Sequence, residues 1–156
     1  MDSLQEKVKD FLSQECIAVA GVSRKPDGSA ANAIYKKLKE CQYKVFPVNP
    51  HAKIIDGDQC YPNLKSTPEK VDGVVVVTRP EVAEEIVQEC AELGITRVWM
   101  HRSFGQGSVS DSATQFCREN NITVIPGACP MMYCQPVDFG HKCMRWFLSL
   151  SGKLPK

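Results

Sequence analysis

Four consecutive valines, Val74, Val75, Val76 and Val77, set the first constraint on this chain. A β-branched run with no polar position cannot be a strand with one wet face, and it is far too short to cross a bilayer. It reads as a strand covered on both faces, the mark of a parallel sheet clothed by helices. Similar segments recur as Cys-Ile-Ala-Val-Ala-Gly at 16–21, Val-Phe-Pro-Val at 45–48, Arg-Val-Trp-Met at 97–100 and Thr-Val-Ile at 123–125.

Between these runs the apolar spacing turns helical. Leu4, Val8, Phe11 and Leu12 make residues 3–14 an amphipathic helix ahead of the first strand. Ala30, Ile34, Tyr35 and Leu38 share one face of a helix over 30–40. Pro80 opens a helix that runs through Leu93 and stops at Gly94. Another covers 110–119, and a closing helix over 137–150 sets Phe139, Cys143, Trp146, Phe147 and Leu150 near helical spacing. Residues 54–64 are turn-rich with a short strand near Cys60 and Tyr61, and 68–71 form at most a helical turn. The alternation predicts an α/β fold: a Rossmann-like, doubly wound parallel sheet of five to six strands with helices on both faces. A length of 156 residues suits one core, so a single domain over 1–156 is expected.

Nineteen Lys and Arg against eighteen Asp and Glu give a formal charge of +1, scattered along the chain. No basic stripe marks a nucleic-acid or anionic-membrane surface, so any bound anion must be held locally. Residues 1–15 mix acids and bases where a signal peptide would carry its apolar centre. A cytoplasmic protein with its eight cysteines reduced is expected, with Cys16 and Cys90 acting as small buried hydrophobes.

In an open parallel sheet, ligands bind beyond the carboxyl ends of the strands where strand order reverses. Three loops are candidates. The first offers a turn glycine, Gly21, followed by Val22, Ser23, Arg24 and Lys25 and the start of a helix, whose free N–H groups favour phosphate. An ordinary loop with solvated charges is the alternative. The second strand ends at Asn49 and Pro50, with Lys53 nearby and no acid to hold the ribose hydroxyls of NAD. The pattern G-x-G-x-x-G is also absent, since Ser23 stands at its second glycine. The third loop sets Val77, Thr78 and Arg79 at a helix start, where the guanidinium could clamp a pyrophosphate or simply face water.

Other constellations are weaker. His101 with Ser103 could pair a base and a nucleophile but lacks an identifiable orienting acid. Cys117, Cys129, Cys134, His141 and Cys143 crowd the last third without the paired spacing of a structural zinc site. Cys129 falls after the last strand on the ligand side, where its thiol could exchange with a ligand thiol or simply pack in a turn.

Four segments carry a family resemblance: Ile-Ala-Val-Ala-Gly-Val-Ser at 17–23, Val-Phe-Pro-Val-Asn-Pro at 45–50, Val-Asp-Gly-Val-Val-Val-Val at 71–77 and Ile-Pro-Gly-Ala-Cys-Pro at 125–130. In order and spacing they resemble the coenzyme A-binding domain family, stand-alone relatives of the amino-terminal domain of the succinyl-CoA synthetase alpha subunit. The resemblance implies coenzyme A or an acyl-CoA as ligand. Gly21, Val22, Ser23 and Arg24 would take phosphates, Asn49 and Pro50 with Lys53 would flank the adenosine, and Val77, Thr78 and Arg79 would face the pyrophosphate and the pantetheine arm. Ligase chemistry, which in the synthetases needs a phosphohistidine in a second domain, is not carried over, so binding without catalysis is expected. The loop at 101–108 departs from the shorter turn of bacterial relatives. The expected partner is thus a small molecule, with no nucleic acid or membrane and with room for a homodimer. The competing readings are an NADP-linked oxidoreductase and a redox-responsive interaction protein that uses its cysteines.

Overall fold

Ile17, Ala18 and Val19 expose no surface at all, and the strand they belong to, β1 (Cys16–Ala20), lies inside the sheet with a neighbour on each side. The computed structural model describes residues 2–103, 106–135 and 139–155. Along the chain, β1 is followed by β2 (Lys44–Val48), β3 (Ile54–Ile55), β4 (Asp58–Gln59), β5 (Gly73–Val76), β6 (Arg97–Met100) and β7 (Thr123–Pro126). Five of these form one parallel sheet in the order β2-β1-β5-β6-β7, and β3 pairs with β4 as a small antiparallel hairpin.

Strand order reverses between β1 and β5, so the crossovers run outward in opposite directions and cover opposite faces. On one face, Ile17, Val19, Val75, Trp99 and Ile125 meet α1 (Leu4–Leu12), α2 (Ala30–Glu40) and α5 (Phe139–Leu150). On the other, Ala18, Ala20, Val74, Val76, Val98, Met100 and Val124 meet α3 (Pro80–Leu93) and α4 (Asp111–Glu119). Period-two alternation along each strand thus feeds two cores. The first is keyed by Phe11 edge-on to Trp99, with ring centroids 5.4 Å apart, and by Trp99 Nε1 donating to the Gly127 carbonyl at 2.9 Å.

The helix ends follow local chemistry. Ser3 and Glu6 form a reciprocal capping box on α1, Ser29 caps α2, and Gly94 ends α3 in the left-handed region at φ +68°.

Three details differ from the sequence pattern. The expected strand near Cys60 and Tyr61 is reduced to one parallel bridge between Tyr61 and Val48, because the preceding residues fold into the β3–β4 hairpin. No helical turn forms at 68–71. It forms instead at Leu64–Ser66, where Asn63 caps it by accepting from the Ser66 amide. In α5 the inward residues are Leu148, 1% exposed, and the partly buried Met144, while Trp146, Phe147 and Leu150 face outward at 66%, 54% and 68% exposure. Residues 137 and 138 of the expected closing helix lie outside the described residues.

Candidate functional site

The carboxyl ends of β1, β2 and β5 are stitched together by backbone. Gly21 N–H donates to the Val48 carbonyl at 3.0 Å and Val77 N–H to the Ala20 carbonyl at 2.9 Å. Gly21 holds φ +102°, and a Cβ there would lie 2.0 Å from the Val77 carbonyl oxygen. Only glycine lets the first loop leave its strand this close to β5.

Above this seam lies a half-open cavity of about 520 Å³. Its walls come from Gly21 and Val22 after β1, Asn49 and Pro50 after β2, and Val77, Thr78 and Arg79 after β5. Pro62, Leu64, Val82 and Ile86 add apolar surface, and Glu85 and Glu89 stand on the α3 wall. A second hollow of about 610 Å³ adjoins it, sharing Asn49 and His51 and adding Ser23, Arg24 and Lys25. The three strand-end loops therefore meet as expected, with cations over one mouth. Lys53 lines neither hollow. It is exposed, and its carbonyl accepts from the Cys60 amide at 2.9 Å.

Several polar groups that looked available for a ligand are occupied by the scaffold. Asn49 donates from its side-chain amide to the Val22 carbonyl at 2.6 Å and accepts from the His51 amide at 2.7 Å, tying the first loop to the second. Ser23 Oγ accepts from the Lys25 amide at 3.0 Å. The Thr78 amide donates to Ser108 Oγ at 2.8 Å. Arg24, Lys25 and Arg79 remain exposed to solvent.

The helix start is displaced from these cations. Ser29 and Ala30, at the α2 N-terminus, line a separate cavity of about 630 Å³ on the first core's side of the sheet, together with His101, Ser103, Cys129, Met131 and His141. A phosphate on Arg24 and Lys25 and one on the α2 terminus would therefore occupy different hollows. In this third cavity Ser103 Oγ lies 3.2 Å from His101 Nε2, and Cys129 is 3% exposed. Burial, with the His141 ring adding to it, lowers the pKa of the His101 imidazole from its ordinary value.

Two residues that shape the site had not stood out in the sequence. Asn32, 3% exposed, accepts from the Ser23 amide at 2.7 Å and from Ser29 Oγ at 2.8 Å, and donates to the Ser23 carbonyl at 2.9 Å. An asparagine three residues past a serine cap is the signal that could have found it. Ser108, 1% exposed, gives the departing 101–108 loop a role as support for the third loop. Phe104 and Gly105 of that loop lie outside the described residues. No helix among the described residues is long and apolar enough to cross a membrane.

Comparison with known proteins finds relatives in sequence and in fold. An ADP-forming acetate–CoA ligase of Methanocaldococcus jannaschii is 27% identical over 127 residues, which is 79% of this chain and 18% of the ligase. The ADP-forming acetate–CoA ligase II of Archaeoglobus fulgidus is 31% identical over 90 residues, 56% of this chain and 13% of that protein. The chain thus spans less than a fifth of the length of either ligase. Among solved structures, a hypothetical protein from Pyrococcus horikoshii OT3 superposes with a TM-score of 0.75 at 28% identity, over 83% of this chain and 88% of that one. The family described as the CoA binding domain matches residues 15–135. With the five-stranded switch-point sheet and the match over most of its length, the chain belongs to the CoA binding domain family.

Proposed function

We propose that this chain binds coenzyme A or an acyl-CoA in the paired hollows above β1, β2 and β5, without a reaction of its own. The observation that carries the reading is the meeting of three strand-end loops around a cavity of about 520 Å³ with apolar walls and cations at its mouth. A planar adenine suits walls made by Val22, Val48, Leu64 and Ile86, and Glu85 or Glu89 could accept from its amino group. Arg24, Lys25 and Arg79 supply charge for the phosphates, and the guanidinium forks suit bidentate contact. Ser23, Pro50 and Thr78 shape the passage, and Lys53 acts only through its distant charge.

The test is calorimetric titration with coenzyme A beside NADP and NAD, on the parent chain and on Arg24→Ala and Arg79→Ala. Selective coenzyme A binding, weakened about tenfold by each substitution, is expected from the loss of a charge-assisted contact. Binding of NADP in place of coenzyme A would overturn the reading, and so would coenzyme A binding that ignores both arginines.

A further inference from the structure

The molecule holds a second chemical feature, far along α2 from the hollows. Cys41 is the C-terminal cap of α2, and Cys134 follows the short turn Pro130–Met132 after β7. Their sulfur atoms lie 2.9 Å apart across 93 positions of sequence, and both are free thiols. A disulfide needs sulfurs about 2.05 Å apart, so an approach of less than about 1 Å closes the bond. Both backbones are already fixed. The Cys41 amide donates to the Lys37 carbonyl at 3.0 Å and the Cys134 amide to the Pro130 carbonyl at 3.0 Å. The Cys41 thiol is also turned toward this segment, donating to the Gln135 carbonyl at 3.1 Å.

We propose that Cys41 and Cys134 are a reversible dithiol–disulfide couple whose oxidant is a small disulfide, RSSR. The two thiols differ in access. Cys41 is half-buried, whereas Cys134 is 4% exposed and burial, with the Cys41 contact adding to it, pushes its thiol up to about 12. Reaction therefore starts at Cys41, whose thiolate attacks one sulfur of RSSR, forming a mixed disulfide and releasing RS⁻, which takes up the Cys41 proton. Cys134 then loses its proton and attacks the Cys41 sulfur, forming the internal disulfide and expelling the second RS⁻, which takes up that proton. Two protein thiols are oxidised, one RSSR is reduced, and two RSH leave.

The bond would join the far end of α2 to the segment that carries Cys129 and Met131. These two elements are walls of the cavity of about 630 Å³, so the redox state sets how freely they separate.

The test uses the reduced full chain carrying Cys143→Ser, which removes the one exposed thiol, treated with 2-hydroxyethyl disulfide. Loss of two thiols without retained reagent, a peptide joining Cys41 to Cys134, and full reversal by dithiothreitol are expected. Adding Cys134→Ser should trap the reagent on Cys41. Crosslink mapping on the chain with both cysteines present does not depend on how the Cys134→Ser variant folds. A mixed disulfide that persists on Cys41 with Cys134 present, or a crosslink between other cysteines, would overturn the proposal.

Discussion

The backbone amide of Ser23 donates to the Asn32 side-chain oxygen at 2.7 Å, and the Asn32 amide donates back to the Ser23 carbonyl at 2.9 Å. One buried side chain on α2 thus satisfies both peptide groups of a residue in the loop beyond β1. Replacing it by alanine strands both groups in a partly buried position. Asn32→Ala is expected to lower stability by about 2 kcal/mol in urea denaturation. Coenzyme A affinity should fall with it, since the cations of the first loop lose their anchor. Asn32→Asp keeps the acceptor and loses the donor, so it should lie between. A parent-like Asn32→Ala would show that the loop holds itself.

Gly21 and Gly28 separate steric necessity from backbone preference. Both have positive φ, +102° and +77°, but a Cβ on Gly21 would strike the Val77 carbonyl while one on Gly28 has nothing within 4 Å. Gly28→Ala should cost about 1 kcal/mol from the left-handed conformation alone. Gly21→Ala should cost about 4 kcal/mol or more, because β1 and β5 must part. Equal costs by the same denaturation assay would remove the close-approach argument.

The sequence was most legible where one residue type answers one local demand. Gly94 stopped a helix, Pro80 opened one, and Val74, Val75 and Val76 form a strand buried on both sides, while Val77, the last of the four valines, lies past the strand end and lines the cavity. It was least legible where an element's orientation depends on a distant partner. The spacing of Trp146 and Leu150 is genuinely helical, yet Leu148 and Met144 form the face of α5 that turns inward, and that depends on the surface left open by α1 and α2. The site shows the same division. Gly21, Asn49 and Thr78 could be placed at strand ends from the chain pattern. That Asn49 spends its amide on Val22, and Thr78 its backbone amide on Ser108, needed the folded geometry. Lys53 failed to reach the hollow because the hairpin of β3 and β4, each two residues long, turns the chain away just after it.

Exposed cations make the proposed coenzyme A contact sensitive to salt. Arg24 and Lys25 are solvent-facing, so their attraction for phosphate should be screened as the Debye length shrinks from about 10 Å at 0.1 M salt to about 3 Å at 1 M. Affinity measured across that range should fall steadily for the parent chain. The double variant Arg24→Ala with Lys25→Ala should bind more weakly and respond less to salt. A variant slope as steep as the parent's would assign the phosphates to other groups.

Acid stability should report on Asp58, which joins the β3–β4 hairpin to α2. Its carboxylate accepts from Lys39 and from the Tyr35 hydroxyl, and these two bonds, Lys39 first, hold it below its usual value of 3.8. The folded state therefore binds the proton less readily than the unfolded chain. The stabilisation is complete above the unfolded value and is lost as pH falls through the lowered folded one. Because the carboxylate is 42% exposed, solvent screens the pair and the effect is modest. Asp58→Asn removes the titration, so the gap between parent and variant should be widest at neutral pH and close as pH falls through the lowered folded-state value. Urea midpoints from pH 7 to pH 2 measure it. A gap that stays constant with pH would mean that Asp58 holds the hairpin by shape and neutral hydrogen bonding, with its charge contributing nothing.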